Sequence, residues 1–447
     1  MESNQKKTEL ENLLINNKDN KTFCMAPWTH MNIGPNGDVY PCCLMPLTDI
    51  EDTSCDEDGN VTESVLEVIA SECNGDSRDF KMGSLLNESL RDIWNNENMR
   101  ELRRNMLCGK ESSYCTACYK EEEVGHGSLR QDMNTTYSKH FKYVEETKED
   151  GTFERFNLVY WDFRLNNICN FKCRMCGPGY SSSWEQEMRK EFNIEGEYPK
   201  IDVDMVHQDI EPLYDIVEEV YFAGGEPLIS DHHYIILNKL IENDRNRDVR
   251  ISYNTNFSTL RYKEHDVLEL WKRFPNLALS ISFDGTEKRG ELIRKGFDWK
   301  KFLDNFQKFR KVFPNKTISI NCVVQAMNCF HIMEAHKELY LRGIIKRWDD
   351  FNLCMLHNPE HLSVLILDSE YRKLLGEKIK DHIKNYLAPA KANKSIKQYM
   401  SVLKLLSTEK KEHLIPTFKS HMSALDLIRN ENSLEVFPEL ERILKND

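Results

Sequence analysis

The 447-residue chain carries 60 Lys and Arg against 73 Asp and Glu, a formal net charge of −13 at pH 7, so general binding to nucleic-acid phosphates or to an anionic membrane is excluded as its main business. The length suits two or three domains, each with its own core, and rules out one small domain. With 40% hydrophobic residues and no apolar run near the ~18 residues a membrane helix needs, no membrane partner is expected.

Residues 1–22 read as a polar amino-terminal tail or helix. Met1–Leu10 has no apolar segment behind it, so no secretory signal is expected and the cytoplasm is the expected location. Met31 to Val39 holds Gly34, Pro35, Asn36 and Gly37 between two short extended runs, the pattern of a hairpin. Residues 49–79 are acidic and rich in Ser, Asn and Gly, and read as a solvated insert; Asp56 to Asn60 lacks the twelve-residue calcium pattern. Leu86, Leu90 and Ile93, then Met99, Leu102 and Met106, recur at helical spacing before a Gly109 stop. A polar stretch over 145–155 reads as a linker.

From 156 to 356 short β-rich runs alternate with helical patterns. Strands are predicted near Phe156–Asp162, Glu218–Phe222, Val249–Tyr253, Ala278–Phe283, Ile318–Val324 and Asp350–Met355, with helices such as His233–Ile241, Phe302–Val312 and Ile332–Leu341 between them. Six such units give an α/β fold, a partial (β/α)6 TIM-like barrel. After 357 the chain is charged and helical in pattern, a C-terminal extension expected to close the barrel's open side. No internal repeat of fixed period is present.

Fourteen cysteines in a chain expected to stay reduced call for metal chemistry rather than disulfides. Cys322, Cys329 and Cys354 are scattered and read as small buried hydrophobes. Cys169, Cys173 and Cys176 crowd into eight residues after the first barrel strand. Three thiolates on a four-iron cluster leave one iron open to a ligand, whereas four would close the site.

This spacing resembles the radical SAM superfamily, and further segments extend the resemblance. Ala223-Gly-Gly-Glu-Pro227 is similar to the family segment in which Gly224, Gly225 and Glu226 would hold the amino group of S-adenosylmethionine (SAM). Asn254 and Asn256 resemble the residues that meet the ribose, Asp284 a supporting contact, Arg294 the partner of the SAM carboxylate, and Gln325 the adenine side. On the predicted strands every one of these follows a strand's carboxyl end, where α/β barrels build their sites.

Cys24, Cys42, Cys115 and Cys118 follow a pattern that resembles the twitch module, a shortened relative of the SPASM domain, over 23–144 and ahead of the barrel. The resemblance implies a second iron–sulfur cluster on these four, with Cys43 and Cys108 in reserve; a structural zinc is the alternative, and Cys55 and Cys73 match nothing. Overall it implies a radical SAM enzyme. Such an enzyme cleaves SAM reductively at a [4Fe-4S] cluster on Cys169, Cys173 and Cys176 to a 5′-deoxyadenosyl radical, which takes hydrogen from a substrate. It would need a one-electron reductant such as flavodoxin or ferredoxin. Analogy favours a peptide or protein substrate; a small metabolite, a nucleotide sugar or RNA are the alternatives, the last prompted by Arg100, Arg103, Arg104 and Lys110. A non-catalytic iron–sulfur sensor or electron carrier is the reading from a different class, but it leaves Glu226 and Arg294 without a role. His207, His232 and His233 read as helix surface or core.

Overall fold

The computed structural model describes residues 21–44, 80–123, 127–192, 199, 201–408 and 410–445. The acidic insert over 49–79, with Cys55 and Cys73, lies outside the described residues, as does nearly all of the tail.

Strands in chain order are β1 (His30–Ile33), β2 (Asp38–Tyr40), β3 (Gly83–Ser84), β4 (Tyr160–Phe163), β5 (Lys172–Cys173), β6 (Glu219–Phe222), β7 (Arg250–Thr255), β8 (Arg261–Tyr262), β9 (His265–Asp266), β10 (Leu277–Ser282), β11 (Arg294–Lys295), β12 (Ser319–Val324) and β13 (Phe351–Met355). The six strands expected of the barrel, β4, β6, β7, β10, β12 and β13, lie side by side in that order and pair in parallel. Helices fill the crossovers. In one of them, Trp299–Val312, the Asp298 side chain accepts from the Lys301 N–H and starts a helix that buries Trp299, Phe302, Phe306 and Phe309 along one stripe.

The sheet does not end at β4. β1 adds in parallel beside it, His30 opposite Tyr160 and Ile33 opposite Phe163, and β2 and β3 follow antiparallel. The amino-terminal cysteine region and the barrel therefore share one sheet, nine-stranded among the described residues. The hairpin is legible in the turn residues, but its pairing with a strand 130 residues away has no local signal.

One face of this sheet is apolar, with Met31, Trp161, Val220, Ile251, Leu279, Ile320 and Leu353 buried. The other alternates as polar: Asn32, Asp162, Tyr221, Ser252, Asn254, Ser280, Asn321 and Asn352 share it by register. Asn321 Nδ2 donates to Asn254 Oδ1 at 2.8 Å although β10 lies between their strands. Strands two places apart in a flat sheet are separated by about 9.6 Å, beyond the reach of two asparagines. The sheet curls, with the polar face inside.

Three readings of the sequence change. Arg103 is fully buried, not part of a basic surface: its Nε donates to Pro27 O at 3.0 Å and its guanidinium lies 4.8 Å from the Trp94 ring centre. Arg100 and Arg104 are paired with Glu97, which leaves little of the patch that prompted the RNA reading. The stretch read as a linker is packed: Gly151, at φ +85°, is so close to Arg100 that a Cβ would sit 2.2 Å from its carbonyl oxygen, and Phe153 is buried. Cys322 and Cys329 are buried as expected, whereas Cys354 is exposed, since it follows Asn352 by two residues and so stands on the polar face.

In the carboxyl-terminal extension, helix Asn393–Leu405 packs on β13, the edge strand of the barrel. Helix Ile415–Arg429 runs to the cysteine loop instead.

Candidate active site

The loop over 167–181 leaves β4 and is tied down on both sides of its cysteines. β5 pairs antiparallel with β11, placing Cys173 opposite Arg294. The Ser182 hydroxyl accepts from Cys169 N–H, the Ser183 hydroxyl donates to Cys169 O at 2.7 Å, and the Trp184 indole N–H donates to Cys173 O at 2.7 Å. The three thiols are close enough to act on one another. Burial raises the Cys169 thiol far above its usual value, and the neighbouring Cys173, Glu226 and Cys176 raise it further. Cys173 is raised by burial and drawn back by Arg294. Thiols crowded this way are unfavourable as free anions, and a cationic cluster would relieve them. Among the described residues no three His, Cys, Asp or Glu side chains converge on a point that suits one metal ion.

The remaining predicted site residues connect to this loop. Glu226 N–H donates to Ile168 O at 2.7 Å, an approach open only because Gly225 has no side chain: a Cβ there would lie 2.2 Å from the same oxygen. Gly224, at φ +111°, packs on Arg164. The Glu226 carboxylate is buried and accepts from the Thr255 hydroxyl at 2.6 Å, Asn256 N–H at 2.6 Å and Leu228 N–H at 3.1 Å. Burial raises its pKa to about 7, against the pull of those donors and of Arg294. Asn256 Nδ2 donates to Asn170 Oδ1 at 3.0 Å, inside the cysteine loop. Arg294 lies between the Cys173 sulfur, 3.7 Å from its Nη1, and Asp284, whose Oδ2 is 2.7 Å from its Nε; Asp284 Oδ1 accepts from Val323 N–H at 2.7 Å. Asn254 stands on the polar face, joined to Asn321. Gln325 is wholly buried, yet among the described residues neither its Oε1 nor its Nε2 has a hydrogen-bond partner. A buried amide without a partner costs stability unless a ligand supplies the missing bonds.

The amino-terminal thiols form a second group. Cys24, Cys42, Cys115 and Cys118 line one largely apolar pocket with Pro27, Leu102, Met106, Leu129 and Met133. Cys24 is raised by burial and by Cys115 and Cys118, and Cys115 is pushed up to about 11 by burial and Cys118. Arg130, paired with Glu122 at 2.5 Å, is the cation nearby. Cys43 and Cys108 are exposed and do not line the pocket. Cys43 lies within electrostatic reach of Asp162 and Arg164 on the polar face and of Cys42 and Cys118 as well. His207 and His232 meet at 3.4 Å, and His233 is buried against the Tyr253 hydroxyl at 2.8 Å.

Sequence reasoning missed two features. Asp162 and Arg164 form a bidentate pair at 3.1 Å on the polar face beside the glycine segment; their spacing of two on a strand could have signalled it. Arg174 lies between the last two loop cysteines and is wholly buried. No local signal marks it, because its partners come from the far end of the chain.

Residues 163–327 match the family model of the Radical SAM superfamily. The chain therefore carries a radical SAM domain. Residues 24–119 match the SPASM iron–sulfur cluster-binding domain, so the chain carries this further cluster-binding domain ahead of its radical SAM domain. No curated protein matches the chain. Among solved structures, native anSMEcpe with bound AdoMet aligns over 49% of this chain and 60% of its own at 17% identity, with a TM-score of 0.35. Streptococcus suis SuiB bound to S-adenosylmethionine aligns over 65% and 64% at 16% identity, TM-score 0.35. TYW1 with a lysine–pyruvate adduct bound aligns over 51% and 71% at 13% identity, TM-score 0.29. The chain thus spans less than two thirds of the length of the first two.

The radical SAM domain brings a [4Fe-4S] cluster and SAM, and the SPASM domain a further cluster. The residues present fit these groups: crowded thiols, a glycine cradle closed to any side chain, a buried carboxylate and an amide without partners among the described residues.

Proposed function

We propose that this radical SAM enzyme holds its SAM cluster on Cys169, Cys173 and Cys176 and acts on a peptide or protein. When bound, the cluster and SAM supply a one-electron reductive cleavage whose product removes hydrogen from the substrate. Gly224 and Gly225 let the backbone approach the amino acid end of SAM, and Glu226 supplies the negative charge that its ammonium requires. Arg294 faces the carboxylate while Asp284 holds its guanidinium in place. Gln325 offers a donor and an acceptor to the edge of a base, and Asn254 and Asn256 offer amides to a ribose. Cys24, Cys42, Cys115 and Cys118 hold the further cluster in an apolar pocket, where water is kept from it.

The observation that carries the reading is the junction itself: Glu226 N–H on Ile168 O, Asn256 on Asn170 and Arg294 on Cys173 join three strand ends to the cysteine loop. For the substrate class, support comes from an open cleft of ≈ 510 Å3 beside the loop, lined by Pro35, Asn167, Ile168, Gln186, Arg189 and Ile201. An open cleft of mixed polarity suits an extended chain better than an enclosed metabolite.

The test is release of 5′-deoxyadenosine from SAM by the anaerobically reconstituted, reduced protein, beside a variant with Cys169, Cys173 and Cys176 all changed to Ala. Product from the unaltered chain alone is the expected result. Equal product from both would overturn the ligand assignment. No product from either, with no change in the cluster's spectrum on adding SAM, would turn the reading toward an iron–sulfur sensor.

A further inference from the structure

The carboxyl-terminal segment reaches back over some 250 residues to the cysteine loop and meets it with buried charge. Arg174, between Cys173 and Cys176, is 0% exposed. Its Nη2 donates to Asp426 Oδ1 at 2.5 Å and to Glu431 Oε2 at 2.8 Å, and its Nη1 to the Ser433 hydroxyl at 3.1 Å. The Arg174 backbone is held as well: its N–H donates to Ile293 O at 2.8 Å, and His421 Nε2 lies 3.0 Å from its carbonyl oxygen. With a carbonyl as partner, that nitrogen carries the proton, so the Nδ1 of His421 accepts from His361 Nε2, 3.0 Å away.

A second bridge flanks the first. Arg429 donates twice to Glu187 Oε2, at 2.7 and 3.1 Å, and lies 4.8 Å from the ring centre of Trp184, whose indole N–H holds Cys173 O. Glu187 also takes Lys172 at 2.5 Å, and Glu431 takes Lys295 at 2.8 Å. Four cations and three carboxylates thus alternate around the loop. Burial alone would raise the Glu187 pKa, but Arg429 and Lys172 hold it below the usual range.

We propose that residues 415–435 are a clamp that keeps the cysteine loop in its ligating shape, with Arg174 as the positioning residue. The inference rests on the reading of Cys169, Cys173 and Cys176 as cluster ligands. Three ligands within eight residues form a loop with few contacts of its own, and removing one partner of a buried ion pair leaves an uncompensated charge. A lost clamp is therefore felt first by the thiols on either side of Arg174.

The experiment follows iron release to a chelator from the anaerobically reconstituted full chain. The variant with Cys169, Cys173 and Cys176 changed to Ala identifies which phase belongs to the loop, and the change in the electron paramagnetic resonance signal on adding SAM identifies the same cluster independently. Arg174→Met, and separately Asp426→Asn with Glu431→Gln, are expected to speed the loop phase at least tenfold and to leave the other phase unchanged. Arg174→Lys restores the charge without the fork and should recover part of the loss. Should Arg174→Met fail to fold, the paired carboxylate variants decide alone, because Asp426 is partly exposed and its loss is milder. An unchanged loop phase in these variants, or equal acceleration of both phases, would overturn the clamp. If the triple cysteine variant keeps every phase and the SAM-dependent signal, the ligand reading fails, and the proposal with it.

Discussion

The two groups of cysteines solve one problem in opposite ways. Cys169, Cys173 and Cys176 come from a single loop at the carboxyl end of β4, and their surroundings are charged: Arg294, Glu226, Arg174 and its carboxylates. Cys24, Cys42, Cys115 and Cys118 come from three separate segments and meet in an apolar pocket with one ion pair beside it. A local loop is cheap to form but must be held in shape by distant parts of the chain. A cage assembled from distant segments is held by the core that assembles it. The difference teaches where each group is vulnerable, to lost side-chain contacts in the first and to lost packing in the second.

Cys173→Ala against Cys115→Ala tests this division most strongly. The first should abolish release of 5′-deoxyadenosine, a loss of at least about a thousandfold, with the iron of the amino-terminal pocket retained. The second should remove iron from that pocket while SAM cleavage persists. Iron per chain and product by chromatography give both readings, and loss of both irons in either variant would break the comparison.

Gly225→Ala comes next. A Cβ 2.2 Å from Ile168 O forces the glycine segment off the cysteine loop, so SAM affinity should fall about tenfold or more, a loss of about 1.4 kcal/mol. The pocket of Cys24 should be untouched, and a SAM titration of the reduced protein checks it.

Acid sharpens the comparison further. Burial lowers His336 to about 3 and His382 to about 4, from an ordinary 6.5. The unfolded chain takes up these protons near pH 6.5 and the folded one does not, so their contribution is fully present above pH 6.5 and is lost as pH falls toward 4. Over the window from pH 6.5 to 4 each is worth about 3 kcal/mol. Helices Glu97–Leu107 and Leu129–Thr136 contain no histidine. Hydrogen exchange at pH 5 should therefore show residues 332–405 opening before the amino-terminal helices, and replacing both histidines by Gln should flatten the dependence.

The smallest effect is expected from Arg104→Ala. Its pair with Glu97 lies at the surface, so the melting temperature should change by no more than about one degree. RNA affinity should be absent in both proteins. A salt-dependent affinity lost in the variant would revive the basic patch that the burial of Arg103 argues against.

Much of the site was legible because its parts are short and follow strands. The family resemblance pointed to glycines 224 and 225, Asn256 and Arg294, and the structure joins them to the cysteine loop. What position did not reveal is what each side chain touches here. Glu226 braces two strand ends through three hydrogen bonds, and Arg294 spans Cys173 and Asp284. Arg103 read as a surface charge because helical spacing alone does not tell which face is buried. Cys354 read as core because a cysteine's ordinary fate says nothing about its place on an alternating strand.

The sequence by itself determined the β/α alternation, the three-cysteine loop and the order of motifs, because hydrophobic period and ligand spacing are local properties. Tertiary structure alone decided that β1 extends the barrel sheet, that four cysteines from three segments share one pocket, and that Asp426 and Glu431 hold Arg174. Those are contacts between residues tens to hundreds of positions apart. Their energy appears only when the chain closes on itself, and nothing in the nearby sequence reports it.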